Sequence, residues 1–222
     1  MEAALRAMLA EGASRMGVAL DAGAVERFAT LLSLLQAWGR KINLTAHLEA
    51  REVVAHHFLD SLAGARFLAE DPAARIIDLG AGAGFPSFPL KFALPRLRVA
   101  MIESVRKKVS FCREVIRATG CTGVEAICAR GEELGRQERH RGAYGWAVSR
   151  ALGSSADVLR LSLPFLGPGG RILVYKGAPG EDELDELSAA CGSIGAGWER
   201  HAVEVPHLEA RRSLILVTLG SR

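Results

Sequence analysis

The residues of this chain best suited to chemistry begin with Asp78-Leu79-Gly80-Ala81-Gly82-Ala83-Gly84-Phe85-Pro86. A short apolar run, Arg75-Ile76-Ile77, precedes them and reads as a buried strand ending on an acidic residue. Glycines at alternate positions let the backbone turn tightly and approach a ligand where a side chain would collide. Pro86 suits the first turn of a following helix, since its missing N–H would have no partner there. Strand, glycine loop and helix in this order form a nucleotide-cofactor layout. A dinucleotide site requires G-x-G-x-x-G, whereas the sixth position here is Phe85. A phosphate-cradling loop requires G-x-x-x-x-G-K-[ST], and neither Lys-Ser nor Lys-Thr follows Gly84. Asp78 opposes a pyrophosphate at close range and by Coulomb attraction suits an ammonium or sulfonium-bearing ligand. The competing reading is an ordinary glycine-rich turn.

The acidic–glycine pattern resembles the first motif of class I methyltransferases that bind S-adenosylmethionine. It makes Asp78, Gly80 and Gly82 candidates for that cofactor. A second apolar run, Arg98-Val99-Ala100-Met101-Ile102, ends in Glu103, 25 residues after Asp78. In a βαβ unit this places a carboxylate at the end of the neighbouring strand, within reach of both ribose hydroxyls. Glu103 also suits the start of the next helix, where a carboxylate is favourable in any case. Cys128-Ala129-Arg130-Gly131-Glu132-Glu133 follows a third strand. Gly131 allows backbone approach to an adenine, while a simple helix start accounts for both glutamates. Ser149-Arg150-Ala151 follows the fourth strand, the place that faces cofactor and substrate together. An Arg leaving a buried strand needs a charged or hydrogen-bonding partner, so a structural ion pair is its other reading.

Elements that could position these groups are legible along the chain. Residues 1–70 read as helical, and 71–222 alternate strand and helix. Asp21 can cap a helix in which Val25, Phe28, Leu31, Leu32, Leu35 and Trp38 recur at helical spacing. A further helix is expected over about 49–69, with Val53, His57, Leu62 and Phe67 on its apolar face. Helices follow at about 105–119 and 155–163, with strands at 124–129, 146–149 and 171–175. The last two strands, about 198–205 and 214–219, have no helix-length segment between them and pair as an antiparallel hairpin or as near neighbours. The expected fold is α/β: a mostly parallel sheet with one antiparallel strand near its edge, plus a helical N-terminal extension.

Composition narrows the partners. A chain of 222 residues with 49% apolar content buries one substantial core. Its net charge of +3 does not by itself indicate nucleic-acid binding. The four cysteines form no C-x-x-C pair and read as small buried groups in a reducing compartment. Glu2, Arg6 and Glu11 interrupt the N-terminal apolar stretch, which argues against a signal peptide. No run approaches the roughly 18 apolar residues of a membrane span. The expectation is a soluble, cytoplasmic monomer without membrane or metal partners.

An ordered set of short motifs makes the resemblance more specific. Asn43-Leu44-Thr45, His57-Phe58-Leu59-Asp60-Ser61-Leu62, the Asp78–Pro86 loop, Glu103-Ser104, Arg106-Lys107-Lys108, Arg130–Glu133, Ser149–Ala151 and Lys176-Gly177 occur in one order. Over about residues 38–217 the chain resembles the small-subunit ribosomal RNA methyltransferase G family, also called glucose-inhibited division protein B. The resemblance implies a Rossmann-like class I methyltransferase that methylates guanine N7 in the decoding-region loop of 16S rRNA. S-adenosylmethionine is the implied cofactor. It also implies cofactor contacts at Gly80, Phe85, Gly131, Glu132 and Arg150. Ser87 departs from the family's usual Pro-Gly continuation and is expected to stiffen the loop. Guanine N7 carries a lone pair and no proton, so no general base and no metal are nominated. No Asn/Asp-Pro-Pro-Tyr segment follows strand four, which disfavours methylation of an adenine amine.

Candidates for RNA contact are Arg40, Lys41, Arg106–Lys108, Arg136, Arg139, Arg141, Lys176, Arg211 and Arg212. Solvated helix faces account for many such residues. Lys176 is favoured because it ends a strand beside Gly177, and Arg211 because it precedes the last one; with Arg150 they form the expected substrate set. Two other readings remain open: methylation of a small molecule or protein, and a non-catalytic ribosome-assembly factor that binds the cofactor. Replacing Arg40 and Lys41 by Ala is expected to lower RNA methylation and leave cofactor affinity unchanged, as read by labelled-methyl transfer and calorimetry. Loss of cofactor binding would refute that division of labour.

Overall fold

The computed structural model describes residues 1–71, 73–150 and 152–220. Helices α1 (Ala3–Arg15) and α2 (Ala22–Gly39) open the chain. Asp21 caps α2, accepting the Ala24 N–H at 2.6 Å, as its position before the apolar periodicity requires. Next, α3 (Ala50–Val53), a π-helical turn (Val54–Leu59) and α4 (Asp60–Leu62) run on as one segment, followed by α5 (Ala65–Leu68). Gly64 stands at the break before α5, where the packing leaves no room for a side chain. A Cβ at Gly64 would collide with the Tyr175 hydroxyl.

The remainder alternates: β1 (Arg75–Leu79), α6 (Ser87–Ala93), β2 (Arg98–Glu103), α7 (Arg106–Thr119), β3 (Val124–Cys128) and α8 (Gly131–Leu134). Then come β4 (Tyr144–Arg150), α9 (Ser155–Ser162), β5 (Leu166–Lys176), α10 (Glu181–Ile194), β6 (Gly197–Val203) and β7 (Arg212–Thr218). The sheet order is β3-β2-β1-β4-β5-β7-β6. β1 to β5 pair in parallel, and β7 runs antiparallel to both β5 and β6. One reversed strand next to the edge is the expected arrangement. The order turns back between β1 and β4, where a crevice opens at the carboxyl ends of the strands.

Strand alternation sends Ile76, Val99, Met101, Val148 and Leu173 to one face, against Leu9, Phe28, Phe58, Phe88 and Phe111. It sends Ile77, Leu79, Ile102, Ile172 and Val174 to the other, against Val158 and Leu159 of α9 and Leu187 of α10. The N-terminal helices therefore share a core with the sheet.

Three details differ from the sequence reading. Pro86 stands at the N-cap of α6, one residue outside the helix. β5 begins at Leu166 rather than near Arg171, and a register shift between Tyr144 and Trp146 admits its glycine-rich start. Helix α10 was not anticipated, because only Leu187 and Cys191 of its residues are buried. Its signals were electrostatic and conformational: Glu181, Asp182 and Glu183 in the first turn, and Gly195 left-handed at the end.

Phe28 is fully buried, with ring centroids 4.9 Å from Phe58 and 5.1 Å from Phe92. Phe28→Ala is expected to lower the unfolding free energy by about 3–5 kcal/mol in urea titration. A loss under about 1 kcal/mol would mean that α2 is dispensable to this core.

Candidate functional site

Four strand ends enclose a cavity of about 450 Å³. Leu79 to Ala83 and Phe85 wall it from the first loop, Glu103 and Ser104 from β2, Ala129 to Glu132 from β3, and Arg150 from β4. Gly80, Gly82 and Gly84 all adopt positive φ, at 72°, 58° and 84°, which is why glycines fall at these positions. Backbone bonds fix the loop: Gly80 and Ala81 N–H donate to the Ile102 carbonyl at 3.0 Å each. A Cβ at Gly84 would collide with the Phe88 ring, while one at Gly82 would meet only the Gly80 carbonyl, 3.9 Å away. Gly84 therefore serves packing, and Gly82 keeps cavity space open.

Glu103 bridges the start of α7 and the glycine loop. Its Oε1 accepts the Val105 N–H at 2.8 Å, just ahead of α7, and its Oε2 accepts the Gly82 N–H at 3.1 Å. A carboxylate offers about four acceptor sites, so it retains lone pairs for hydroxyl groups in the cavity. Asp78 is placed differently. It is fully buried behind the loop, where Ser87 Oγ donates to its Oδ2 at 2.7 Å and Oδ1 has no partner among the described residues. It does not line the cavity. Burial pushes its carboxyl up to about 7, and the Ser87 hydrogen bond and the nearby Arg150 charge oppose that rise.

Arg150 is the junction of the site. Its guanidinium donates to the His56 carbonyl at 2.9 Å, to Asp60 Oδ2 at 3.0 Å and to His57 Nδ1 at 2.9 Å, and its Cζ lies 5.2 Å from the Phe85 ring centroid. Since Arg can only donate, His57 Nδ1 is the acceptor, and His57 Nε2–H donates to Thr45 Oγ1 at 2.6 Å. The His57 ring stacks on Phe85, with centroids 4.7 Å apart. Burial, then the Arg150 charge, pulls the imidazole down to about 3, so it is neutral. Asp60 accepts from Arg212 Nε at 2.8 Å on its other oxygen.

Beyond Arg150 and His57 lies a second cavity of about 350 Å³, lined also by His47, His56, Asp60, Lys176 and Arg212. Arg150 and His57 belong to both walls. These two side chains are where the two spaces adjoin.

Residues 24–214 match the family described as rRNA small subunit methyltransferase G. The chain belongs to this family. The ribosomal RNA small subunit methyltransferase G of Roseiflexus castenholzii is 37% identical over 211 residues, spanning 94% of this chain and 89% of the relative. The protein of the same name from Deinococcus radiodurans is 39% identical over 190 residues, spanning 86% and 75%. Among solved structures, M. jannaschii TYW2 in complex with AdoMet matches with a TM-score of 0.57 over 82% of this chain and 80% of that one. Its 14% identity makes that a likeness of fold.

Within this methyltransferase G framework, Gly80, Gly82, Phe85, Glu103, Gly131, Glu132 and Arg150 come together around the first cavity. Lys108, read from sequence as a candidate for RNA contact, also lines it. Lys176 reaches the second cavity but is tied to Glu183 at 2.7 Å and to the Gly153 carbonyl at 2.9 Å. Arg211 lies outside both spaces, exposed on a separate groove. Its neighbour Arg212, the first residue of β7, turns inward to Asp60 and lines the second cavity. Arg40, Lys41, Arg136, Arg139 and Arg141 are exposed and line neither cavity. Ala151 of the Ser149–Ala151 motif lies outside the described residues. Sequence reasoning overlooked Asp60 as the anchor of two arginines, and His47 and His56 as cavity walls.

Below pH 6.5 an unfolded chain protonates His57, while the folded one refuses that proton until about pH 3. The stability contributed by neutral His57 is thus present above pH 6.5 and lost as pH falls. Between pH 7 and pH 5, the difference in unfolding free energy between the protein and His57→Gln is expected to shrink by about 2 kcal/mol. A pH-independent difference would contradict a neutral, buried His57.

Proposed function

We propose that the chain transfers a methyl group from S-adenosylmethionine to N7 of a guanine in the decoding-region loop of 16S rRNA. The residues around the first cavity suit that cofactor: Glu103 keeps acceptors for ribose hydroxyls, Gly82 leaves room for close approach, and Gly131 exposes backbone near an adenine. The cofactor supplies an electrophilic sulfonium methyl. Phe85 and Arg150 would border its reacting end, and the second cavity would admit the base. Residues 1–70 act as a helical extension packed on the methyltransferase domain, 71–222, and close the crevice from one side.

The observation that supports N7 is that the two side chains shared by both cavities, Arg150 and His57, hold no free lone pair for a proton. His57 Nδ1 is occupied by Arg150 and its Nε2 carries the proton. Asp60 has one arginine on each oxygen, and Arg150 cannot accept a proton. An exocyclic amine or hydroxyl has a proton to shed during methylation, and neither Arg150 nor His57 has a free lone pair to take it. Guanine N7 has none. Catalysis then rests on alignment of the lone pair with the methyl, which the two abutting cavities can provide.

For RNA contact we favour Arg212 over Arg211 because it lines the second cavity, where Lys176 is paired with Glu183. Phosphate contacts would make binding strongly salt dependent. The test is incubation with methyl-labelled S-adenosylmethionine and small subunits lacking the modification, followed by mapping of the labelled base. Label is expected on a guanine N7 in the decoding-region loop and should vanish in Gly80→Glu. If the cofactor binds and subunit RNA stays unlabelled, the substrate assignment fails, and transfer to a small molecule or protein becomes the reading to pursue.

A further inference from the structure

We infer that the stacked imidazoles of His47 and His56 form the platform on which the target base is held in the second cavity. This rests on the nucleic-acid reading above. The two rings lie nearly parallel, 11° apart, with centroids 4.2 Å from one another, and both line the cavity that abuts the cofactor space. They come from different elements, His47 from the loop before α3 and His56 from the π-helical turn. The His47 N–H donates to Thr45 Oγ1 at 3.2 Å, the same hydroxyl that receives the His57 proton. The platform is thus tied to the junction between the cavities.

Other aromatic groups of this cavity are already engaged. His57 stacks on Phe85, and Tyr175 is buried with its hydroxyl on the Ser61 carbonyl at 2.8 Å. His47 and His56 are both half-buried, so ring surface remains available. Burial, with His47 and Arg212 beside it, lowers the proton affinity of His56, against the opposing pull of Glu52 and Asp60. A neutral imidazole presents a flat π-surface, and every nucleobase has a face to match. Charge arranged for a phosphate is weaker here. Arg150 gives three of its five N–H donors to His56, His57 and Asp60, and Lys176 is paired with Glu183. Arg212 spends its Nε on Asp60, and its terminal nitrogens can donate to an acceptor at the base edge.

The test compares His56→Ala, His56→Phe, His56→Gln and His47→Ala with the parent protein. Each is assayed for methyl transfer to unmodified small subunits and for cofactor affinity by calorimetry. His56→Ala is expected to lower kcat/KM by roughly 5- to 150-fold, the range of one lost base–aromatic stack, with cofactor affinity unchanged. His56→Phe should restore most of the loss and His56→Gln should not, because a ring face rather than a hydrogen bond is needed. His47→Ala, on the loop side, gives a second reading if His56→Ala does not fold. Parental kcat/KM in both alanine variants, or rescue by Gln and not Phe, would overturn the platform while leaving the methyltransferase assignment standing. A parent protein that labels no subunit RNA would overturn the assignment itself and the platform with it.

Discussion

A guanidinium carried into a mostly buried place cannot shed its charge, so its partners must come to it. Arg150 ends β4 in that position, and each of its hydrogen-bonding partners lies about 90 residues earlier in sequence. The Arg150–Asp60 pair, with the His56 carbonyl and His57, draws the π-helical turn and α4 onto the carboxyl edge of the sheet. Arg212 adds β7 to the same carboxylate. One acidic side chain thereby joins helix, central strand and reversed strand. Removing one partner from such a pair leaves a buried charge uncompensated, at a cost of about 3–5 kcal/mol. Much of the site depends on that constraint. Without it the crevice beside β4 would be open on one side and would not divide into two spaces.

The same constraint decides the chemistry of the divide. Arg150 fixes the tautomer of His57 and helps keep it neutral, and Thr45 takes the remaining ring proton. A histidine held in this way is a spacer and an aromatic surface, with no lone pair left for base catalysis. A π-helical turn is a sensible place to find it. As neighbours on a helical segment, His56 and His57 face different surroundings, one the second cavity and one the junction, and π-bulges are frequent at functional sites.

The architecture was legible because its signals are local. Alternating glycines after an acidic strand end, a second carboxylate 25 residues on and two late strands without a helix between them gave the sheet, its reversed strand and the cofactor edge. What escaped were features set by pairing across the fold. Asp60 looked like part of a motif, and nothing in its neighbourhood revealed that Arg150 and Arg212 would meet on it. Arg211 and Arg212 are adjacent and alike in type, and only the contact with Asp60 shows which one turns inward. Helix α10 escaped for a different reason. Its apolar face holds two buried residues, too few for periodicity to register, although its acidic first turn and left-handed glycine marked both ends.

Asp78 and Ser87 show how a departure in sequence can be compensated in structure. An acidic side chain beneath the glycine loop attracts a cationic ligand only when ionised, and burial opposes ionisation. With a glycine at position 87 both carboxylate oxygens would lack a side-chain hydroxyl. Here the Ser87 hydroxyl donates to one of them and stabilises the charged form. The balance leaves the carboxyl near 7, so the charge under the loop is conditional near neutral pH. Cofactor charge and the carboxyl are then coupled in both directions: a cation arriving in the cavity favours ionisation of Asp78, and ionised Asp78 favours the cation. Ser87 therefore bears on how readily the buried acid ionises.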